Sequence, residues 1–137
     1  ICSGLHAPVG IAFDDDGAAL VAESGAGRVV RLGSAGPDTV IDGLQCPQGI
    51  HVRDGRLYIV DAGAKELVEF DLGSKARTTI ASGLPVGAPP GVEPKPLKGM
   101  PPFSGPQGPF AGVTSAPDGT LYVSADSDGS VLAIGRR

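Results

Sequence analysis

The sequence predicts an all-β protein, a β-propeller of which three four-stranded blades are present, and two observations lead to this prediction. First, a motif recurs, since residues 4–11 read GLHAPVGI and residues 43–50, which lie 39 positions further on, read GLQCPQGI. A third Gly-Leu pair follows at Gly83-Leu84. Second, Asp-Gly pairs stand between apolar runs, where they favour hairpin turns. Repeats of about 40 residues that each hold four short strands are typical of propeller blades.

Each repeat has the same order of strands and turns. An apolar strand, predicted at residues 11–13, 50–52 and 113–115, leads into an Asp-Gly turn. A second strand, a glycine-bearing turn and a third strand follow, and the third strand is predicted at residues 28–32, 66–71 and 130–134. The three turns are predicted at Asp16-Gly17, Asp54-Gly55 and Asp118-Gly119. A fourth strand is predicted at residues 39–41 and 78–81, whereas the last repeat ends after its third strand, at residues 130–134. A β-sandwich also joins short strands by turns, but it has no reason to repeat one motif at near-constant spacing.

The organisation that follows is one partial propeller domain over residues 1–137, with blades at about 4–42, 43–82 and 83–137. Both ends of the chain fall inside a blade, and three blades are about half of a six-bladed ring. Three blades do not close a ring by themselves, since known propellers use about four to eight. The expected partners are therefore the remaining blades of a propeller or a second copy of the chain.

A Pro-rich insertion at residues 86–108 interrupts the third repeat. Nine of the thirteen prolines lie between Pro85 and Pro109. The insertion precedes an inner strand, which places it on the channel-mouth side, and closely spaced prolines favour an extended, semi-rigid segment. We predict a lid whose candidate contact residues are Lys95, Lys98, Met100 and Phe103, with Met100 and Phe103 able to pack on top of the ring.

Composition excludes some functions. The net charge of −4 is spread along the chain and leaves no basic stripe for nucleic acid. The sequence contains no apolar stretch of about 18 residues, so no membrane span is predicted. Cys2 and Cys46 are compatible with a disulfide or with two small buried hydrophobic residues. The compartment stays open, with a secreted or cell-envelope location favoured.

Three segments carry a resemblance to known families. Residues 8–17 (PVGIAFDDDG) and 20–30 (LVAESGAGRVV) resemble the NHL repeat, and residues 117–124 (PDGTLYVS) are similar to the last blades of gluconolactonase-like proteins, the senescence marker protein type, and of quinone-dependent sugar dehydrogenases. The resemblance implies a six-bladed propeller with a ligand or substrate site at the channel mouth. These motifs specify blade structure and are shared by many functions.

The resemblance also implies where a metal would bind. In metal-dependent lactonases an Asn or Asp between the Pro and Gly of the motif reaches a divalent cation at the channel mouth. The matching residues here are Val9, Gln48 and Ala111, and a lone glutamine is a poor anchor for a hard cation. A cation such as calcium would therefore need ligands from further blades.

Other candidate site residues follow from their places in the repeat. Glu23 and Asp61 end equivalent second strands, and the third repeat has Ala125 there with Asp126 next to it. Such carboxylates could hold a cation or polarise a ligand. The preferred interpretation is that they accept hydrogen bonds from turn amides.

The two histidines and three of the basic residues also have places in the repeat. His6 precedes an inner strand and His51 lies within one, where each could act as a base or ligand or simply line the channel. Arg28, Arg31 and Lys65 are interpreted as solvated surface.

Three functions are compatible with these residues. The first is a gluconolactonase-like or NHL propeller, of hydrolase type or purely binding, that takes sugar lactones or similar small molecules at its mouth. The second is a non-catalytic propeller that binds another protein. The third is an enzyme that oxidises sugars with a quinone cofactor.

Overall fold

A computed structural model of the chain describes residues 2–95, 97–103 and 108–135, and its regular structure is all β. Within these ranges no helix is long and apolar enough to cross a membrane. The strands are β1 (Pro8–Phe13), β2 (Ala19–Glu23), β3 (Arg28–Gly33), β4 (Gly36–Ile41), β5 (Pro47–Arg53), β6 (Arg56–Asp61), β7 (Glu66–Asp71), β8 (Arg77–Ser82), β9 (Val113–Ser115), β10 (Leu121–Ala125) and β11 (Ser130–Ile134).

The strands form three antiparallel sheets, one for each predicted repeat. The first sheet has the order β1-β2-β3-β4, the second β5-β6-β7-β8, and the third has three strands, β9-β10-β11. We call these sheets the first, second and third blade, and we call the end at which β1, β5 and β9 begin the mouth end. The all-β prediction is confirmed, and so are the three repeats, the last of which holds three strands among the described residues.

The inner strands begin earlier than predicted. The sequence placed them at residues 11–13 and 50–52, whereas β1 starts at Pro8 and β5 at Pro47. Each has a register shift near its start, so that Pro8 pairs with Glu23 and Pro47 with Asp61. An irregularity of this kind lets a strand continue past the proline, whose missing N–H would otherwise break the ladder.

The predicted hairpin turns are present. Between β5 and β6, Asp54 and Gly55 have φ angles of 50° and 70°, which is the left-handed pair of a two-residue type I′ turn. In the other two hairpins the glycine again takes a positive φ, 80° at Gly17 and 90° at Gly119. Glycine adopts this conformation at no steric cost, which explains its recurrence at this position.

The hydrophobic core consists of two layers, one on each side of the second blade. Successive residues of β6 point to opposite faces, as the pleat of a strand requires. Leu57 and Ile59 pack in the layer shared with the first blade, while Tyr58 and Val60 pack in the layer shared with the third. The second blade is therefore buried on both faces, between the first and third blades.

Glycines at the inner edge allow the blades to approach closely. A Cβ added at Gly10 would collide with the carbonyl oxygen of Gln48, and one added at Gly49 with the carbonyl oxygen of Ala111. The Gly49 N–H also donates to the Ala111 oxygen at 2.9 Å. The Gly of the repeated Pro-x-Gly motif is thus required by contact between neighbouring inner strands.

We predict that Gly49→Ala lowers the free energy of unfolding by about 1–3 kcal/mol, because the added methyl group must displace backbone rather than a flexible side chain. Gly33→Ala is the matched control, since its Cβ would lie at an ordinary 3.5 Å from the nearest atom, the Gly36 oxygen. The control should change stability by about 0.5 kcal/mol or less. Urea unfolding followed by circular dichroism measures both, and equal effects of the two substitutions would contradict the close approach.

Candidate functional site

Glu23 and Asp61 lie at equivalent places at the mouth end. They are the last residues of β2 and β6, and their side chains are almost completely buried. In the third blade Ala125 holds the matching position and Asp126 follows it, as the alignment of the repeats indicates. Each carboxylate therefore stands beside the segment that enters an inner strand, which we call the entry segment of that blade.

Glu23 is held by two donors. The backbone N–H of His6 donates to Oε1 at 2.7 Å, and Nε of Arg28 donates to Oε2 at 2.5 Å. Burial raises the pKa of Glu23, but the His6 hydrogen bond and the Arg28 guanidinium together outweigh it and leave the pKa below its ordinary value. Glu23 is therefore an anion that ties the first entry segment to β2, and Arg28 is part of this arrangement rather than solvated surface.

Asp61 does the same in the second blade with main-chain donors alone. Its Oδ2 accepts from the N–H of Gln45 at 2.9 Å, and its Oδ1 accepts from Cys46 at 2.8 Å and Ala64 at 3.3 Å. A carboxylate that accepts three backbone hydrogen bonds has few lone pairs left for a cation or substrate. In the structure Asp61 is thus an acceptor for backbone amides.

Asp126 anchors the base of the Pro-rich insertion. Its Oδ1 accepts from the N–H of Gly87 at 2.9 Å, while the Lys65 ammonium donates to the carbonyl oxygens of Val86 at 2.6 Å and Ala88 at 3.0 Å. Lys65 is thus not a freely solvated residue. Val86 is fully buried in the core, so the predicted insertion at 86–108 begins with core residues and its outer part starts after Ala88.

Gln48 connects the second and third blades. It is buried, its Oε1 accepts from the N–H of Ala111 at 2.8 Å, and its Nε2 lies 3.8 Å from Sγ of Cys46. Its amide oxygen is engaged in the contact between blades. The two other residues at this motif position differ in environment, because Val9 is exposed whereas Ala111 is buried.

The two histidines lie in different blades and in different surroundings. His6 is exposed in the first entry segment. His51 lies in β5, where Nε2 is 2.9 Å from Oγ of Ser115 and its ring stacks on Tyr58 with centroids 6.4 Å apart. Burial and the nearby charge of Arg53 lower the pKa of His51, so that the neutral ring joins two blades.

The predicted ligands are not gathered into a metal site. Within residues 2–95, 97–103 and 108–135, no group of three or more His, Cys, Asp or Glu side chains is placed to hold a metal ion. Cys2 and Cys46 are both free thiols, so the structure shows no disulfide between them. Burial raises the pKa of the Cys46 thiol, which is therefore protonated at neutral pH.

A cleft of about 550 Å³ opens between the mouth end of the second blade and the first part of the insertion. Gln45, Cys46 and Gly63 belong to the blade side, and Pro89 and Pro94 to the insertion side. The sequence motifs indicate the insertion as a candidate site but give no sign that Gln45, Cys46 or Lys65 lies beside it. The signal that could have found them is their position in the repeat, because entry segments and the turns before third strands meet at the mouth end.

The predicted lid residues lie outside this cleft. Lys95 and Lys98 are exposed, and Met100 and Phe103 are 69% and 85% exposed rather than packed on top of the ring. The insertion is held at its base by Asp126 and Lys65, and it presents these four side chains to solvent.

Comparison with solved structures identifies the fold as that of propeller-type proteins. A streptogramin B lyase structure is 16% identical, with 97% of this chain and 42% of that chain covered and a TM-score of 0.59. A Thermus thermophilus protein described as a putative oxidoreductase (glucose dehydrogenase) is 18% identical, with coverage of 98% and 45% and a TM-score of 0.65. A chain of a nidogen/laminin complex is 23% identical, with coverage of 97% and 61% and a TM-score of 0.59.

These likenesses show the fold alone, because all three identities are below 25%. The chain spans less than half the length of the lyase and the Thermus protein. No family model matches the sequence, and no curated protein matches it.

We predict that Glu23→Gln destabilises the protein by about 1–3 kcal/mol at pH 7, since a buried, charge-assisted pair of hydrogen bonds is weakened. The pKa of Glu23 is lower in the folded protein than the ordinary value of 4.5. Its contribution to the free energy of unfolding is therefore complete above pH 4.5 and is lost as the pH falls below that value toward the folded-state pKa. The stability gap between the two proteins should therefore shrink below about pH 4.5.

Thermal unfolding at a series of pH values measures this gap. Glu93→Gln serves as a control, because Glu93 is exposed on the insertion. A gap that stays constant down to pH 3, or a control effect as large as that of Glu23→Gln, would show that Glu23 is not the anionic tie described here.

Proposed function

We propose that this chain is part of a ligand-binding propeller, and that its site is the cleft between the second blade and the Pro-rich insertion. The observation that carries the proposal is the cleft itself. Its volume of about 550 Å³ suits a small molecule, and its two sides come from a rigid blade and a proline-stiffened segment. A site built in this way is partly pre-formed, which lowers the entropic cost of binding.

The groups that line the cleft favour a neutral, polyhydroxylated ligand. Gln45 offers an exposed carboxamide, Glu93 a carboxylate, and Cys46 a protonated thiol. Hydroxyl groups can donate to the amide and carboxylate oxygens and accept from the amide N–H. The proline rings supply apolar walls against the carbon skeleton. Sugar lactones have this chemistry, and the resemblance to gluconolactonase-like repeats points to the same class.

Glu93 is the group in the cleft that we assign as the general base if a bound lactone is hydrolysed. A carboxylate near a bound ester can take a proton from an attacking water molecule. The Glu23 and Asp61 carboxylates are engaged with backbone donors, so this role does not fall to them. Binding is the primary proposal, and turnover is an additional property that the same experiment measures.

A second candidate function, docking of another protein, is favoured by the surface of the insertion. Large apolar side chains in this region are exposed: Val92, Leu97, Met100, Phe103 and Phe110. Exposed apolar groups clustered in one segment are typical of protein-binding surfaces. Their partner would be a protein with an apolar surface, and this candidate does not require the cleft.

We predict that D-glucono-1,5-lactone, used as the probe, binds to the intact chain and that Gln45→Ala together with Glu93→Gln weakens binding about tenfold or more, since two hydrogen-bonding groups are lost. Saturation-transfer NMR detects binding, and a pH-stat follows hydrolysis. Phe103→Ser is the matched control, because Phe103 is exposed outside the cleft.

Replacing residues 89–107 with a short Gly-Ser linker tests the insertion separately and leaves the buried Val86 in place. Loss of lactone binding with an unchanged melting temperature supports the cleft. Lactone binding that survives both this replacement and the double substitution would overturn the proposal and leave the docking function as the remaining candidate.

A further inference from the structure

The outermost blades each present an apolar face that no other described blade covers. On the first blade this face, which we call the leading face, carries Ile11 and Phe13 of β1. On the third blade the opposite face, the trailing face, carries Tyr122 and Val131. Exposed apolar faces of sheets are unfavourable in water unless another surface covers them.

The trailing face of the third blade is equivalent to the face of the second blade that is buried against the third blade. By strand register, Tyr122 and Val131 hold the positions of Tyr58 and Leu67 in the second blade. Tyr58 and Leu67 are 2% and 0% exposed because the third blade covers them, whereas Tyr122 and Val131 are 39% and 69% exposed. The trailing face is therefore one half of a contact between blades.

The leading face is the other half. Ile11 pairs with Val21 as Ile50 pairs with Ile59, so the two isoleucines are equivalent. Ile50 is 7% exposed in the layer shared with the first blade, and Ile11 is 64% exposed. The leading face thus has the chemistry of the surface that receives a trailing face.

A backbone hydrogen bond that recurs between neighbouring blades also shows that the leading and trailing faces are complementary. The Leu44 N–H donates to the Gly27 oxygen at 2.9 Å, and the Leu84 N–H donates to the Lys65 oxygen at 3.0 Å. In both cases the leucine of the Gly-Leu motif binds the residue before the third strand of the preceding blade. Leu5 and Gly129 hold these two positions at the outer blades. One face thus carries the donor and the other the acceptor.

Gly112 completes the match at the inner edge. It holds the place of Gly10 and Gly49, at which a carbonyl of the next blade leaves no room for a Cβ. An added Cβ at Gly112 would have its nearest contact at 3.4 Å, with Oγ of Ser124. The trailing face therefore has the space that a further inner strand would fill.

We propose that a second copy of this chain occupies both faces, with the leading face of each copy packed on the trailing face of the other. Both halves of the contact are present on one chain, so two copies related by a two-fold rotation form two identical joints and a closed ring. The lyase and Thermus propellers are somewhat more than twice as long as the matched segment, so two copies supply most of one such ring. This inference does not depend on the ligand proposed for the cleft.

Sedimentation velocity of the 137-residue chain tests the proposal. The unmodified chain should sediment as a dimer. Ile11→Lys on the leading face and Tyr122→Glu on the trailing face should each raise the dissociation constant about tenfold or more, since each joint would bury a charge. Phe103→Lys, an exposed residue on neither face, should leave the dimer unchanged.

Mixing the two variants distinguishes this arrangement from any other dimer. An Ile11→Lys chain and a Tyr122→Glu chain together form one unmodified joint and one joint that pairs lysine with glutamate, so the mixture should recover dimer that neither variant forms alone. Gly112→Ala adds a variant that has room for its methyl group within the single chain and should still weaken association.

Melting curves at low concentration check that each variant is folded. An unmodified chain that is folded and monomeric at high concentration would overturn the proposal and leave further propeller blades as the occupants of the two faces. A dimer that survives both substitutions, or a mixture that fails to recover it, would also overturn the proposal.

Discussion

The contact between neighbouring blades is the constraint on which the rest of this structure depends. Gly10 and Gly49 have no side chain because a carbonyl of the next blade occupies that space. The close approach brings the faces of β6 against both neighbours, so that its side chains fill two apolar layers. Because the second blade is buried on both faces, the positions of all entry segments at the mouth end are set by how the blades stack.

A carboxylate at the end of the second strand then fixes each entry segment, and its length decides how it does so. Glu23 reaches one backbone N–H and leaves an oxygen for Arg28, whereas the shorter Asp61 lies close enough to accept from three backbone donors. In the third blade Asp126 binds the start of the insertion instead. The same type of carboxylate contact therefore also fixes Gly87 at the base of the cleft.

Much of the fold could be predicted because the spacing of the repeats and the residue types of the turns can be read directly from the sequence. Asp54-Gly55 marks its hairpin directly, and the third strands at Glu66–Asp71 and Ser130–Ile134 have the predicted bounds. The earlier starts of β1 and β5 could not be predicted, since they depend on a register shift that brings Pro8 opposite Glu23. No local pattern indicates that pairing.

The candidate site was less predictable because its contacts span distant parts of the chain. Lys65 binds carbonyl groups 21 and 23 residues further along, and nothing near Lys65 in the sequence distinguishes it from a solvated lysine. Met100 and Phe103 are apolar enough to predict packing, yet they are 69% and 85% exposed. The repeat places Glu23 and Asp61 at equivalent positions, but whether each binds a ligand or a backbone amide depends on where the backbone N–H groups lie.

Native-state hydrogen exchange of the backbone tests the central claim most directly. If stacking of the blades holds the fold together, the amides that bridge blades, at Leu44, Gly49 and Leu84, should exchange only with the opening that also exposes β6. Their protection should then equal that of Ile59 within about 1 kcal/mol. Bridging amides that exchange much faster than Ile59 would show that each blade is stable by itself, and would contradict this account.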